Sequence, residues 1–174
     1  EFHGFQLEVP RPGDARAFGR VAGLALGLGE EYFTPYVDRS ISVIRANHYR
    51  RHPGAPEPLD QQMRMGAHTD YGSVTVLLAD RVPGLQLQDD QGVWFDVMPP
   101  EGGFMVNIGD LLAEWTNDRW RSTMHRVVPP PPGTDGAALR RSIAFFQQPN
   151  WNAEIRCLPS CTDDANPPKY HPVT

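Results

Sequence analysis

The chain has 174 residues, 40% of them hydrophobic and 21% charged, with a net charge of -5, which is the composition of one ordinary globular domain with a buried core. The acidic balance comes from scattered residues, and no run of Lys and Arg is long enough to track a phosphate backbone, so no nucleic-acid partner is expected. Apolar stretches such as Val74 to Ala79 fall far short of the roughly 20 residues of a membrane-spanning helix, and no signal-peptide pattern opens the sequence; the expectation is a soluble cytoplasmic protein without membrane contact.

In chain order, the first element is a helix over about Ala15 to Leu28, with Asp14 as N-cap after Pro12-Gly13 and Gly29 as its C-terminal stop. Residues 1–39 therefore read as a partial helical support region. From Ser40 the texture changes to short apolar or alternating runs between turn residues, as in a sandwich or barrel, and residues 40–174 read as the core. Strands are expected at about 41–49, 64–69, 73–78, 85–88, 93–97, 104–108, 122–128, 140–147 and 153–157, with a short helix opened by Gly109-Asp110 and running to Trp115. Asn107 and Asp110 read as the turn and cap of that helix. Pro83-Gly84, Asp89 to Gly92, Pro99-Pro100 and Pro129 to Gly133 mark loops, because proline and turn clusters do not sit inside central strands. The abundance of Pro (18) and Gly (16) agrees with many turns and short strands. Cys157 and Cys161 form a single C-x3-C pair without the second pair of a structural zinc site, and read as reduced, ordinary thiols.

The chemistry begins at His68-Thr69-Asp70. In a strand, residues i and i+2 emerge on one face, so an imidazole and a carboxylate can share one metal. His125, 55 residues after Asp70, lies on a later strand that sheet pairing can bring alongside. Two His and one carboxylate form a facial triad that leaves three neighbouring positions open on an octahedral ion, which suits an iron that must also bind a co-substrate and O2. Taken alone, H-x-D also fits an ordinary hydrogen-bonded histidine.

Five blocks supply the context: 66–72 (GAHTDYG), 83–86 (PGLQ), 106–110 (VNIGD), 122–127 (STMHRV) and 140–146 (RRSIAFF). In this order and spacing they resemble the isopenicillin N synthase-like branch of the Fe(II)/2-oxoglutarate-dependent dioxygenases, the branch that includes plant gibberellin and flavonoid oxidases. The resemblance spans residues 32–149. It implies a mainly β fold, a double-stranded β-helix or jelly roll with a flanking helix, and a longer helical N-terminal region of which only part is present here. The resemblance further implies that His68, Asp70 and His125 hold Fe(II), and that Arg140 and Ser142, as the family's Arg-x-Ser motif, bind the distal carboxylate of 2-oxoglutarate. Tyr49 matches the tyrosine of the family's Asn-x-Tyr-Pro strand, with Arg50 in place of the proline, and Asn47 shares its face.

The clamp also makes sense from the residues upward. A guanidinium is a fixed fork that pairs with a carboxylate through two parallel hydrogen bonds. Ser142 follows on the same strand face and Arg141 on the opposite one. The same alternation aims Ala144 and Phe146 at the interior, with Phe146 a candidate for substrate packing or for the core. It also sets Arg64 on the face of His68 as a candidate for a substrate anion or an internal ion pair. The implied reaction couples oxidative decarboxylation of 2-oxoglutarate, with O2 as the other co-substrate, to hydroxylation, desaturation or cyclisation of a small organic metabolite. The rival readings are a 2-oxoglutarate-independent oxidase like isopenicillin N synthase, a zinc hydrolase, and a non-enzymatic interaction module on the same fold. The substrate and the oligomeric state are left open by the sequence.

Overall fold

A computed structural model of the chain describes residues 15–131, 133, 134 and 139–174, apart from 53, 57 and 60; the N-cap expected at Asp14 lies outside them. Helix α1 (Ala15–Ala25) stops earlier than Gly29. Gly27, at φ 71°, reverses the chain, its N–H donating to Leu24 O and that of Leu28 to Gly23 O. This pair of bonds closes a helix on a left-handed residue, a conformation glycine adopts without the Cβ penalty. A short helix not expected from the sequence follows, α2 (Thr34–Val37), with a proline in its first turn.

Residues beyond Ser40 form β1 (Val43–Arg50), β2 (Met65–His68), β3 (Val74–Ala79), β4 (Leu85–Gln88), β5 (Trp94–Asp96), β6 (Met105–Ile108), α3 (Asp110–Trp115), β7 (His125–Val127) and β8 (Leu139–Gln147). These strands make two antiparallel sheets in the orders β1-β8-β3-β6 and β2-β7-β4-β5, the jelly roll. The strand expected at 153–157 is a single bridge, Ile155 to Val173. An isolated pair of residues with no further ladder does not extend into a strand. The strand expected at 122–128 begins only at His125.

Register decides which residues share a face, because directly paired residues in an antiparallel sheet point to the same side. Across the first sheet the rows are Val43–Phe146–Thr75–Asn107, then Arg45–Ala144–Leu77–Met105, then Asn47–Ser142–Ala79, then Tyr49–Arg140. The alternate rows, such as Phe145–Val76–Val106 and Gln147–Val74–Ile108, face outward.

The main apolar cluster lies on that outward side. Val74 packs with Ala22 of α1, Leu26 just beyond it, Phe33, Leu112 and Trp115 of α3, and Ile155, Leu158 and Cys161, with Val76, Val106 and Ile108 against them. Trp115, 2% exposed, meets Phe33 and Tyr36 edge-on with ring centroids 5.1 and 5.0 Å away, a favoured aromatic geometry. The helices thus bury one face of the sheet and leave its other face to the interior of the barrel. Cys157 and Cys161 are unpaired thiols. No helix among the described residues is long and apolar enough to cross a membrane.

Candidate active site

His68 closes β2 and is paired directly with His125 at the start of β7. Their rings are 4.3 Å apart. His68 Nδ1 lies 2.8 Å from Gly66 O and His125 Nδ1 lies 2.9 Å from Thr123 O. With each Nδ1–H donating to a carbonyl, the neutral ring presents its lone pair at Nε2. Those two Nε2 atoms stand 3.9 and 3.8 Å from one oxygen, Oδ1 of Asp70. A donor atom from each residue lies within 4.8 Å of the others, separations that one ion bonded at roughly 2 Å to each can bridge.

Asp70 does not sit on a strand as the i, i+2 argument expects. β2 ends at His68, and Asp70 occupies the turn that leads to β3. The carboxylate is aimed instead from α3 and β6. Asp110 N donates to Asp70 O at 2.7 Å, Leu111 N to Gly72 O at 3.1 Å, and Gly109 N to Ser73 O at 2.9 Å, so N–H groups at the start of α3 that have no partner within their own helix hold the turn. Asp110 Oδ2 also accepts from Thr69 Oγ1 at 3.1 Å. The second carboxylate oxygen of Asp70, Oδ2, accepts from Asn107 Nδ2 at 2.7 Å. The role expected for Asn107 at the cap of the short helix is thereby corrected: Gly109 is the N-cap residue, and Asn107 belongs to the ligand cluster. No local pattern links residues 70 and 107; only the sheet does.

Asp70 is 5% exposed, and its ion-pair-distance neighbours among the described residues are the two imidazoles. A buried carboxylate facing two neutral imidazole lone pairs is stable when a cation sits among them. The donor set, two nitrogens and one oxygen with open positions, fits a facial-triad iron(II).

The other sequence-predicted residues meet two and three rows from that of Asn107. Asn47 is paired with Ser142 and Tyr49 with Arg140. Asn47 Nδ2 lies 3.4 Å from Ser142 Oγ, and the Arg140 guanidinium lies 5.6 Å from the centroid of the Tyr49 ring. Arg140 is 1% exposed, and its Nε is buried without a hydrogen-bond partner. Burial pulls its pKa down, the neighbouring Tyr49 and Asp80 push it up, and Arg64 lowers it further; a guanidinium stays charged through such shifts. Arg141, whose side chain is 70% exposed, faces the other way, toward Asp80. Alternation along β8 therefore holds as expected.

Arg64 reaches the interior by another route than strand alternation. Met65 pairs with Val127 and His68 with His125, so a register shift lies between them, and such a bulge breaks the i, i+2 rule. The Arg64 pKa is lowered by burial and raised by Tyr49 and Asp80, which groups Arg64 with the Arg140 end of the barrel and not with the histidines. Phe146 shares the row of Thr75 and Asn107, two strands over from the amide that holds Asp70. Tyr71, next to Asp70, is 74% exposed.

The profile of the 2OG-Fe(II) oxygenase superfamily matches residues 40–149. A "2-oxoglutarate-Fe(II) type oxidoreductase" of Emericella nidulans is 38% identical over 157 residues, covering 88% of this chain and 43% of that protein. A "proline hydroxylase" of Petromyces alliaceus is 37% identical over 77% of this chain and 43% of its own length. A full-length Neurospora crassa protein, crystallised in complex with alpha-KG, superposes with a TM-score of 0.80 at 37% identity, over 90% of this chain and 49% of that one; the same protein has been solved with alpha-KG and thymine. The chain spans about half the length of these relatives. Extent and identity of the match agree with the constellation built by the two sheets: the chain belongs to the 2OG-Fe(II) oxygenase superfamily.

Proposed function

We propose that the chain is the catalytic core of an Fe(II)- and 2-oxoglutarate-dependent oxygenase that hydroxylates, desaturates or cyclises a small organic metabolite. The observation that carries the reading is Arg140, a buried guanidinium without an ion-paired anion among the described residues, on the inner face of the same barrel as His68, Asp70 and His125. An unpaired buried cation is costly, and a dicarboxylate reaching from the metal to Arg140 relieves that cost.

In this reading His68 Nε2, His125 Nε2 and Asp70 Oδ1 hold the iron. Asn107 fixes the other oxygen of Asp70, and the Gly66 and Thr123 carbonyls fix the two rings. Such outer partners set ligand orientation and basicity. Arg140 binds the distal carboxylate of 2-oxoglutarate as a fork, with Ser142 donating its hydroxyl, Asn47 holding Ser142, and Tyr49 walling the guanidinium. Arg64 adds positive charge to that end of the site. When bound, the iron with 2-oxoglutarate and O2 supplies the oxidising power for an unactivated C–H bond. Leu85 and Val127, paired in the second sheet and 5% and 6% exposed, and Leu87 beside His125 keep water from the reacting centre. Phe146 packs against the substrate. A small cyclic or amino-acid-sized substrate is the expectation, as with the thymine-bound and proline-acting relatives.

The test is anaerobic titration of 2-oxoglutarate into the Fe(II)-loaded protein. A visible charge-transfer band that saturates at one equivalent is expected. Its absence, with O2-dependent turnover that needs no 2-oxoglutarate, would replace this reading by the oxidase.

A further inference from the structure

The pairing of β1 with β8 runs unbroken from Val43–Phe146 to Arg50–Leu139. Residues 43, 45, 47 and 49 therefore share one face, and contacts of Asn47 with Ser142 and Tyr49 with Arg140 identify it as the inner one. Arg45 is on it. Its row, Arg45–Ala144–Leu77–Met105, lies between the row of Asn107, which holds the carboxylate of Asp70, and the row of Ser142. Along the strand direction Arg45 is thus level with the space between metal triad and clamp, on the edge strand of the sheet.

The surroundings give this guanidinium no protein partner. Arg45 is exposed, and no hydrogen bond or ion pair to its side chain occurs among the described residues. Its paired neighbour, Ala144, is small and 4% exposed, which leaves the long side chain free to lie across the inner surface. Leu77, Met105 and Phe146 make the rest of that wall apolar. A charge without a counter-ion, standing over an apolar wall one row from the Asn47–Ser142 pair of the clamp, is an arrangement for orienting a mostly apolar ligand by one polar end.

On the reading of the site given above, we infer that Arg45 is the specificity-determining residue that anchors an acceptor oxygen of the primary substrate, either a carboxylate or a conjugated ring carbonyl, while the body of the substrate lies on Ala144, Leu77 and Phe146. The guanidinium fork fits either acceptor. Substrates lacking such an oxygen are rejected because nothing then engages the charge.

The experiment uses the anaerobic Fe(II)–2-oxoglutarate protein and three probes: benzoate for the carboxylate, thymine for the ring carbonyl, and toluene, which has neither. Binding is read from perturbation of the visible band and by saturation-transfer NMR. Wild type should retain benzoate or thymine in preference to toluene, and whichever is retained shows the source of the oxygen. Arg45→Ala should weaken that probe by about tenfold or more, with Arg45→Lys between the two, while the 2-oxoglutarate titration and the melting temperature stay at wild-type values. Equal binding by wild type and Arg45→Ala, toluene bound as well as the others, or no probe retained by wild type each overturns the inference and leaves the co-substrate site standing. A wild type without the 2-oxoglutarate band fails earlier and removes the functional reading itself.

Discussion

Arg140 and Arg141 are the same residue type one position apart, and the pleat separates their fates: one side chain is enclosed and faces Tyr49, the other is largely exposed beside Asp80. Loss of the Arg140 fork abandons a charge-assisted pair of about 2–5 kcal/mol, much of it the cost of leaving the anion unpaired. Arg140→Ala should therefore weaken 2-oxoglutarate by roughly thirtyfold or more, and Arg140→Lys by less, since it keeps the charge without the fork. Arg141→Ala should leave the titration unchanged; the reverse ranking of the two alanine variants would dismantle the clamp. Asn107 offers a second test at this scale. Its amide holds the non-ligating oxygen of Asp70, so Asn107→Ala should lower affinity for Fe(II), or for Co(II) as a stable substitute, by about 10- to 100-fold. An unchanged metal affinity in a folded Asn107→Ala protein would make that hydrogen bond incidental.

At the scale of elements, the turn bearing Asp70 depends on how closely β6–α3 approaches it. A Cβ on Gly109 would stand 2.2 Å from Gly72 O and 2.8 Å from Asp70 O, both backbone atoms. The backbone φ of Gly109 is -100°, so the requirement is one of space and not of conformation. Gly109→Ala must push the turn away, at a cost of about 1–3 kcal/mol, and the displacement moves a metal ligand. The expected outcome is a lower melting temperature together with weaker metal binding. Gly66→Ala is the control, because a Cβ there meets nothing within 4 Å. If calorimetry and metal titration show both variants equally mild, the turn is not held by this contact.

For the whole molecule, the division of the first sheet is the organising feature. Its outward face, with the helices and the segment around Leu158, buries the apolar cluster, so the inner face is available for Asn47, Thr75, Asn107, Arg140 and Ser142. The segment after β8 is tied back to the turn that follows α3 by Asn117, 2% exposed, which accepts from Lys169 N at 2.9 Å and donates to Pro167 O at 3.2 Å. Asp118 accepts from Tyr170 Oη at 2.8 Å and from Lys169 Nζ at 3.1 Å. Burial raises the pKa of Asp118, but these hydrogen bonds and the charges of Lys169 and Arg121 outweigh it and bring it below its ordinary value. The Tyr170 hydroxyl is pushed up to about 12, first by its hydrogen bond to Asp118. The signs follow by linkage. A depressed carboxylate contributes stability above its unfolded pKa and loses it as pH falls through the folded value. A raised phenol contributes below its unfolded pKa, near 10, and loses it as pH rises to about 12. Tyr170→Phe should therefore melt below wild type from about pH 5 to 9, with the gap closing at both extremes. A gap independent of pH would mean that packing of the ring, not the hydroxyl, ties the tail.

Much of this was legible before folding. Strand alternation is a local rule, so the sequence alone determined that Arg140 and Ser142 share a face opposite Arg141, that Asn47 accompanies Tyr49, and that the β texture begins near Ser40. The blocks around His68, His125 and Arg140 likewise carried the family, since ligand chemistry demands particular residue types in short segments. Features made by contact between distant segments were hidden. Asp70 left its strand because α3 captures the turn after β2, Arg64 lost its parity to a bulge opposite β7, and Asn107 reached the Asp70 carboxylate across 37 residues of chain. Gly27 ended α1 ahead of Gly29 because it adopts the left-handed turn, and Ile155 found one partner where a strand was expected. Local periodicity reports the face a residue turns to. Which group waits on that face depends on sheet pairing and helix docking, free energies shared among residues far apart in sequence, and these the tertiary structure alone decided.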